Sequence, residues 1–292
     1  RLYRLFLFII FISIIPITSK AYDRVAFHCD KDTAIINSLL SSLELKDMRP
    51  ENRVAFFAKN LVGSDSGIKS QILDADSMIF TVDIHTFTPL SFISTCLALA
   101  YAYETSSAPN WRDFAAKYEN IMFKRGEATD FISRFLYPSD WISDNIFRGN
   151  VTDVTFNLDG LAARKKEKSL DYISHHKDSF QALADSVNYD RLKMLEMGFR
   201  NHQIPYISNG DLMNPKRFNP QAKDGDIFFL LTPDFNLDSR EMGILTREGD
   251  KLFIIQISPS YDNVTLEDLP FENYVKRNVK RIQGARIIRI AR

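Results

Sequence analysis

Four short runs dense in Ile, Phe and Leu crowd the last third of the chain: Asp226 to Leu231, Glu241 to Thr246, Lys251 to Ser258, and Ala285 to Ile290. Parallel neighbours in a sheet need a crossover of a dozen or more residues, whereas antiparallel neighbours can be joined by two. Most gaps here are too short for helical crossovers. Arg247-Glu248-Gly249-Asp250 reads as a hairpin turn between the second and third runs. An antiparallel sheet follows. The preceding sequence has helical spacing instead. Ile35, Ile36, Leu39, Leu40 and Leu43 recur along Asp32 to Leu45, and Val54, Phe57, Ala58 and Leu61 along Glu51 to Leu61. Trp111 to Phe123 and Leu170 to Leu183 are further helix candidates. The clearest begins at Thr88, an N-cap residue, with Pro89 at the first helical position, where no amide hydrogen is required. Leu90, Ile93, Leu97 and Ala100 then form a core-facing stripe. Helices first and sheet second predict an α+β fold.

The N-terminus carries a different signal. Arg1 and Arg4 precede an apolar run from Leu5 to Ile15, then Pro16 and Ser19-Lys20-Ala21. This is the pattern of a secretory signal peptide cleaved after Ala21. The run is shorter than the roughly 20 residues a membrane-spanning helix needs. Residues 22–292 are then expected to form a single exported domain, periplasmic or secreted, with no stable membrane span. Charge is balanced, with 37 basic and 37 acidic residues, which gives no reason to expect a nucleic-acid partner. Two cysteines, Cys29 and Cys96, do not make a disulfide scaffold, and sequence leaves their pairing open.

Several strings, taken in order, resemble one bacterial family. They are Phe123 to Glu127, Ser133 to Tyr137, Asp140-Trp141-Ile142 with Asn145, Arg148-Gly149, and Asp153-Val154-Thr155. Ile204 to Ile207, Gly225-Asp226-Ile227, Glu241 to Ile244 and Phe253 to Ser258 continue the match, which runs from about Glu51 to Arg289. The chain resembles the NlpC-like, papain-fold cysteine amidases that cleave N-acetylmuramoyl-L-alanine bonds in muropeptides. The resemblance implies a helical N-terminal part packed on an antiparallel C-terminal sheet, with no cofactor and no metal. It also implies a catalytic cysteine at a helix start, where the helix dipole favours thiolate. A histidine on a strand would activate that cysteine, and a polar residue on the next strand would orient the histidine.

The chemistry is missing at those positions. Counting back from Leu97 to Ala100, the nucleophile falls on Pro89, with Ser91-Phe92 in place of Thr-Phe. The base position is Glu241 and the orienting position Gln256. A Gly-Thr-Pro-Tyr turn reads Gly63-Ser64-Asp65-Ser66, and a family histidine is Leu136. Loss of the nucleophile or base from such a triad removes most of the acceleration. The expectation is therefore a pseudo-amidase that binds a muropeptide or a protein partner without cutting it. Its binding residues would be Arg134, Tyr137, Trp141 and Asn145, where a guanidinium holds an oxygen anion and aromatic faces stack on sugar. The same four residues could instead serve packing.

Two alternatives stand beside this one. A hydrolase could have relocated its site to Glu241 or Cys96. Cys96, however, lies two turns into the helix, in an apolar stripe where cysteine acts as a small hydrophobe. A structural or interaction protein could have filled the cleft. Asp83 and His85 alternate along a short apolar run and could ligate a metal, but no third ligand is visible in sequence, and such a pair is more often an ordinary surface hydrogen bond. His175-His176 reads as solvated surface.

Overall fold

The computed structural model describes residues 25–67, 80–257 and 262–291, so the signal-peptide pattern lies outside the described residues. The first half is mainly helical, with α1 (Asp32–Leu40), α2 (Pro50–Asn60), α3 (Pro89–Thr105), α4 (Trp111–Met122) and α5 (Pro138–Phe147). Short strands β1 (Val25–Phe27), β2 (Asp65–Ser66), β3 (Phe80–Val82) and β4 (Thr86–Phe87) lie among them. The remaining helices are α6 (Tyr172–His175), α7 (Ser186–Met197), α8 (Asn209–Leu212), α9 (Pro215–Phe218) and α10 (Phe271–Arg277). The remaining strands are β5 (Val151–Asp153), β6 (Ala163–Lys168), β7 (His202–Ser208), β8 (Ile227–Leu231), β9 (Ser239–Glu248), β10 (Lys251–Gln256), β11 (Thr265–Leu266) and β12 (Gly284–Ile290).

The four apolar runs are the heart of an eight-stranded sheet in the order β11-β10-β9-β8-β12-β7-β6, with β5 also paired to β12. Every pairing in it is antiparallel. Glu248 faces Lys251 across the expected hairpin, leaving Gly249 and Asp250 as a two-residue loop. Gly249 takes the positive φ, 58°, that such loops require. The mixed α+β expectation therefore holds, although the sheet also recruits β5, β6 and β7 from the middle of the chain.

Strand alternation divides the core. Phe229, Met242, Ile244, Ile255 and Ile257 pack with Phe92, Ile93, Cys96 and Leu97 of α3 in one cluster. Phe228, Leu230, Leu245, Leu252 and Ile254 face the other way and pack with Phe271, Tyr274 and Val275 of α10. A third cluster gathers Phe131, Tyr137, Leu170, Ile173 and Leu192.

The expected helix over Leu170 to Leu183 is not continuous. Only α6 forms, followed by two 3-10 turns, Lys177–Ser179 and Gln181–Ala184. The His176 ring bonds the Tyr172 carbonyl at 2.7 Å, and its amide turns to the Ile173 carbonyl instead. Side chains that compete for the carbonyls of a turn favour its termination. None of the described helices is long and apolar enough to cross a membrane.

Candidate functional site

The start of α3 is built as its sequence predicts. Thr88 Oγ1 accepts from the Ser91 amide at 3.2 Å, and Ser91 Oγ accepts from the Thr88 amide at 2.9 Å, which makes a reciprocal capping box. Pro89 is the first helical residue. Its ring nitrogen carries no proton and no nucleophilic lone pair. The Ser91 hydroxyl also donates to the Thr88 carbonyl at 3.1 Å, so it is occupied in the cap.

Glu241 and Gln256 converge with each other, but on the sheet face opposite α3. Glu241 Oε2 accepts from the Tyr274 hydroxyl at 2.6 Å, and Oε1 pairs with Arg281. Gln256 Nε2 donates to Tyr274 Oη at 2.9 Å and to Glu267 Oε1 at 2.8 Å. Burial, reinforced by the hydrogen bond to Glu241, pushes the Tyr274 hydroxyl well above the usual phenol range. The strand residue that faces α3 here is Met242, whose thioether cannot act as a base. Cys96 has no exposure at all, and burial raises its thiol far above the ordinary range. It is core, as its stripe predicts.

Three of the four expected binding residues are sealed inside. Tyr137 and Trp141 are fully buried, and Trp141 packs on Phe229 with ring centroids 5.9 Å apart. Tyr137 Oη accepts from the Ile173 amide at 2.9 Å and donates to Glu196 Oε1 at 2.8 Å. Asn145 donates to the carbonyls of Ile121 and Trp141. Each of these side chains closes a packing or hydrogen-bonding need of the fold, and none presents a face to solvent. Arg134 keeps partial exposure, with its guanidinium 5.9 Å over the Phe123 ring. Leu136 packs at the edge of the third cluster.

Near α3 the structure assembles a group the sequence shows only in part. Asp83 Oδ1 caps the amides of His85 at 2.8 Å and Thr86 at 2.9 Å, so it holds the loop between β3 and β4. That loop presents His85 to the junction of β1 and α1. There His85 Nε2 lies 2.9 Å from Asp32 Oδ1 and 3.6 Å from Cys29 Sγ. The Cys29 thiol donates to the same Asp32 oxygen at 3.0 Å. Asp32 is fully buried, Cys29 half-buried and His85 exposed. The hydrogen bond to Asp32 raises the Cys29 thiol above its usual value. Burial pushes the Asp32 carboxyl up, but hydrogen bonds from Cys29 and His85 outweigh it and hold Asp32 below the usual carboxylate range. His85 also lines an open cleft of about 390 Å³ with Val62, Gly63, Ser64 and Asp65. Cys29 and Cys96 are both free thiols, which settles their pairing.

The profile of the AmiA-like family, described as N-acetylmuramoyl-L-alanine amidase-like, matches residues 66–282. The chain belongs to this family. Among solved structures, an N-acetylmuramoyl-L-alanine amidase from Bacteroides uniformis superposes with a TM-score of 0.74 at 21% identity, covering 82% of this chain and 100% of that one. Protein LPG0564 from Legionella pneumophila superposes with a TM-score of 0.67 at 19% identity, covering 89% and 94% respectively. At such identities the likeness speaks to the fold. No curated protein matches the chain.

In this AmiA-like protein the Cys29–Asp32–His85 group is what sequence reasoning misses. Asp83 and His85 stand out by alternation, and Asp83 does hydrogen-bond His85, but through the backbone amide; the His85 ring meets Cys29 and Asp32, more than fifty positions away in sequence. The local signal was Cys29-x-x-Asp32 opening a helix, a spacing that lets both side chains share one turn.

Proposed function

We propose that this AmiA-like chain is an exported, papain-like NlpC-type pseudo-amidase. It binds a peptidoglycan fragment without hydrolysing it through the family's cysteine route. The observation that carries this reading is Pro89 at the first position of α3, inside a complete Thr88–Ser91 capping box. A helix start that lowers a thiol pKa elsewhere has no thiol here. Met242 on the strand facing α3 supplies no base, and the ion-paired Glu241 lies on the other sheet face. Of the four expected binding residues, Arg134 is the one that retains access to solvent.

Incubation of the purified protein with muropeptides tests the reading. The expected result is retention of fragment in equilibrium dialysis, weakened about tenfold by Arg134→Ala, with no stem peptide released; that loss corresponds to about 1.4 kcal/mol. Release that a thiol blocker abolishes would overturn it. Absence of both binding and release would favour the filled-cleft, structural role.

The contact between Cys29 Sγ and His85 Nε2 favours a second reading, a hydrolase with a relocated nucleophile. In a working triad the carboxylate orients the base through its other ring nitrogen. Here Asp32 engages the nitrogen that faces the thiol and takes the thiol's hydrogen bond, which keeps sulfur protonated. Muropeptide cleavage that persists in chelator and vanishes in Cys29→Ser would establish this second reading over the first.

A further inference from the structure

The geometry points to a transition-metal site of the zinc class formed by Cys29, Asp32 and His85. One thiol, one carboxylate and one imidazole offer three ligand atoms that all touch: Sγ to Nε2 is 3.6 Å, Sγ to Oδ1 3.0 Å and Nε2 to Oδ1 2.9 Å. Zinc bonds of about 2.3 Å to sulfur and 2.0–2.2 Å to nitrogen and oxygen, at tetrahedral angles, set ligand separations of about 3.3–3.6 Å. The sulfur–nitrogen edge already has that length. The two edges to Asp32 are at hydrogen-bond length and need to open by roughly half an ångström, a side-chain movement.

The surroundings hold the ligands in place. Asp32 Oδ2 accepts the Cys29 amide at 3.1 Å, which orients the carboxylate from its far side. The His85 backbone is fixed at both ends, its amide by Asp83 Oδ1 at 2.8 Å and its carbonyl by the Asp65 amide at 2.7 Å. Support of this kind from outside the ligand set is what orients ligands in metal sites. The charge balance also favours a cation. Asp32 has no solvent exposure, and among the described residues its charge is shared by the Cys29 amide, the Cys29 thiol and a half-exposed imidazole. Buried carboxylates of this kind pair with cations or coordinate metals.

The donor set selects the metal. Thiolate and imidazole suit zinc and cobalt, whereas calcium and magnesium require a shell of oxygens. On binding, the Cys29 S–H bond breaks, sulfur forms its bond to the metal, and the proton passes to solvent. Hydrogen bonds within the Cys29–Asp32–His85 triangle give way to metal bonds. Three protein ligands leave a fourth position for water or a ligand, and His85 borders the cleft formed by Val62 to Asp65. The inference does not depend on whether the chain binds cell-wall fragments.

The test is a titration of the metal-free full chain with Co2+, followed by displacement with Zn2+. One equivalent of Co2+ is expected to give a thiolate-to-cobalt charge-transfer band that Zn2+ abolishes, with about one proton released per metal. Cys29→Ser should remove the band, and His85→Ala, a change at an exposed side chain, should weaken Zn2+ at least tenfold. Cys96→Ala should leave both unchanged. Far-UV circular dichroism confirms that each variant is folded. Absence of the band in the wild-type chain would overturn the assignment. So would a band that survives Cys29→Ser, or Zn2+ affinity indifferent to His85→Ala.

Discussion

Removing one oxygen from Tyr137 separates a packing role from a binding role. The Tyr137 ring is fully buried, and its hydroxyl bridges two elements: it accepts from the Ile173 amide at 2.9 Å and donates to Glu196 Oε1 at 2.8 Å. Glu196 Oε1 also accepts the Ser174 amide at 3.0 Å, so the hydroxyl ties α5, α6 and α7 together. In Tyr137→Phe the ring and its apolar contacts stay, while a buried amide loses its acceptor and a carboxylate loses a donor. An orphaned buried amide costs about 1–3 kcal/mol, and a hydrogen bond to a charged group contributes about 1.5–3 kcal/mol. Because one hydroxyl serves both, the two do not simply add, and the expected loss is about 2–4 kcal/mol. That is a large fraction of a typical total of about 5–15 kcal/mol. Urea unfolding followed by circular dichroism reads it as a lower midpoint at unchanged slope. A change below about 0.5 kcal/mol, the scatter of neutral surface substitutions, would refute the bridging role.

Other outcomes follow from the same contacts. Lys168 is fully buried and donates to the carbonyls of Thr232, Asp234 and Leu237; burial lowers its pKa from 10.5 to about 8, against the pull of Asp238 and Asp234. Between these values the unfolded chain binds the extra proton. Stability therefore rises with pH from about 8 toward 10.5 by up to about 1.4 kcal/mol per pH unit, and is lost again as pH falls through 8. Unfolding free energies of wild type and Lys168→Met, measured from pH 7 to 9.5, should diverge in slope; equal slopes would contradict the lowered value. Gly225 holds φ at +88°, and an added Cβ would stand 1.8 Å from the Glu51 carbonyl oxygen of α2, so Gly225→Ala is expected to cost at least about 3 kcal/mol in thermal unfolding. A thiol-reactive chromophore should label one cysteine in the native chain, Cys29, and two after unfolding, because Cys96 is sealed in α3. Two reactive native thiols would show that α3 opens.

How far sequence reaches here depends on how far apart the decisive residues lie. The start of α3 is legible because Thr88, Pro89 and Ser91 settle it among themselves. The sheet is legible because its central strands are dense in apolar residues and the hairpin at Gly249 allows one register. The helix α5 escapes notice although Pro138 sits at its first position, because its apolar residues are few among Ser139, Asp140, Ser143 and Asp144. Tyr137, Trp141 and Asn145 suit a sugar-binding face or a core equally well by residue type, and burial alone separates the two. The thiol, carboxylate and imidazole of the candidate metal site meet only when β1 pairs with β3, a parallel contact that no local spacing announces.

The two rims of the main sheet limit how another protein can attach. One rim, β11, is a strand of two residues, and the other, β6, reads Ala-Arg-Lys-Lys-Glu-Lys, with its first five residues at least partly open to solvent. A stub and a lysine-rich ribbon both discourage an incoming backbone from zipping alongside. Strand addition by another protein, and self-association by strand exchange, are therefore disfavoured at either of these two borders.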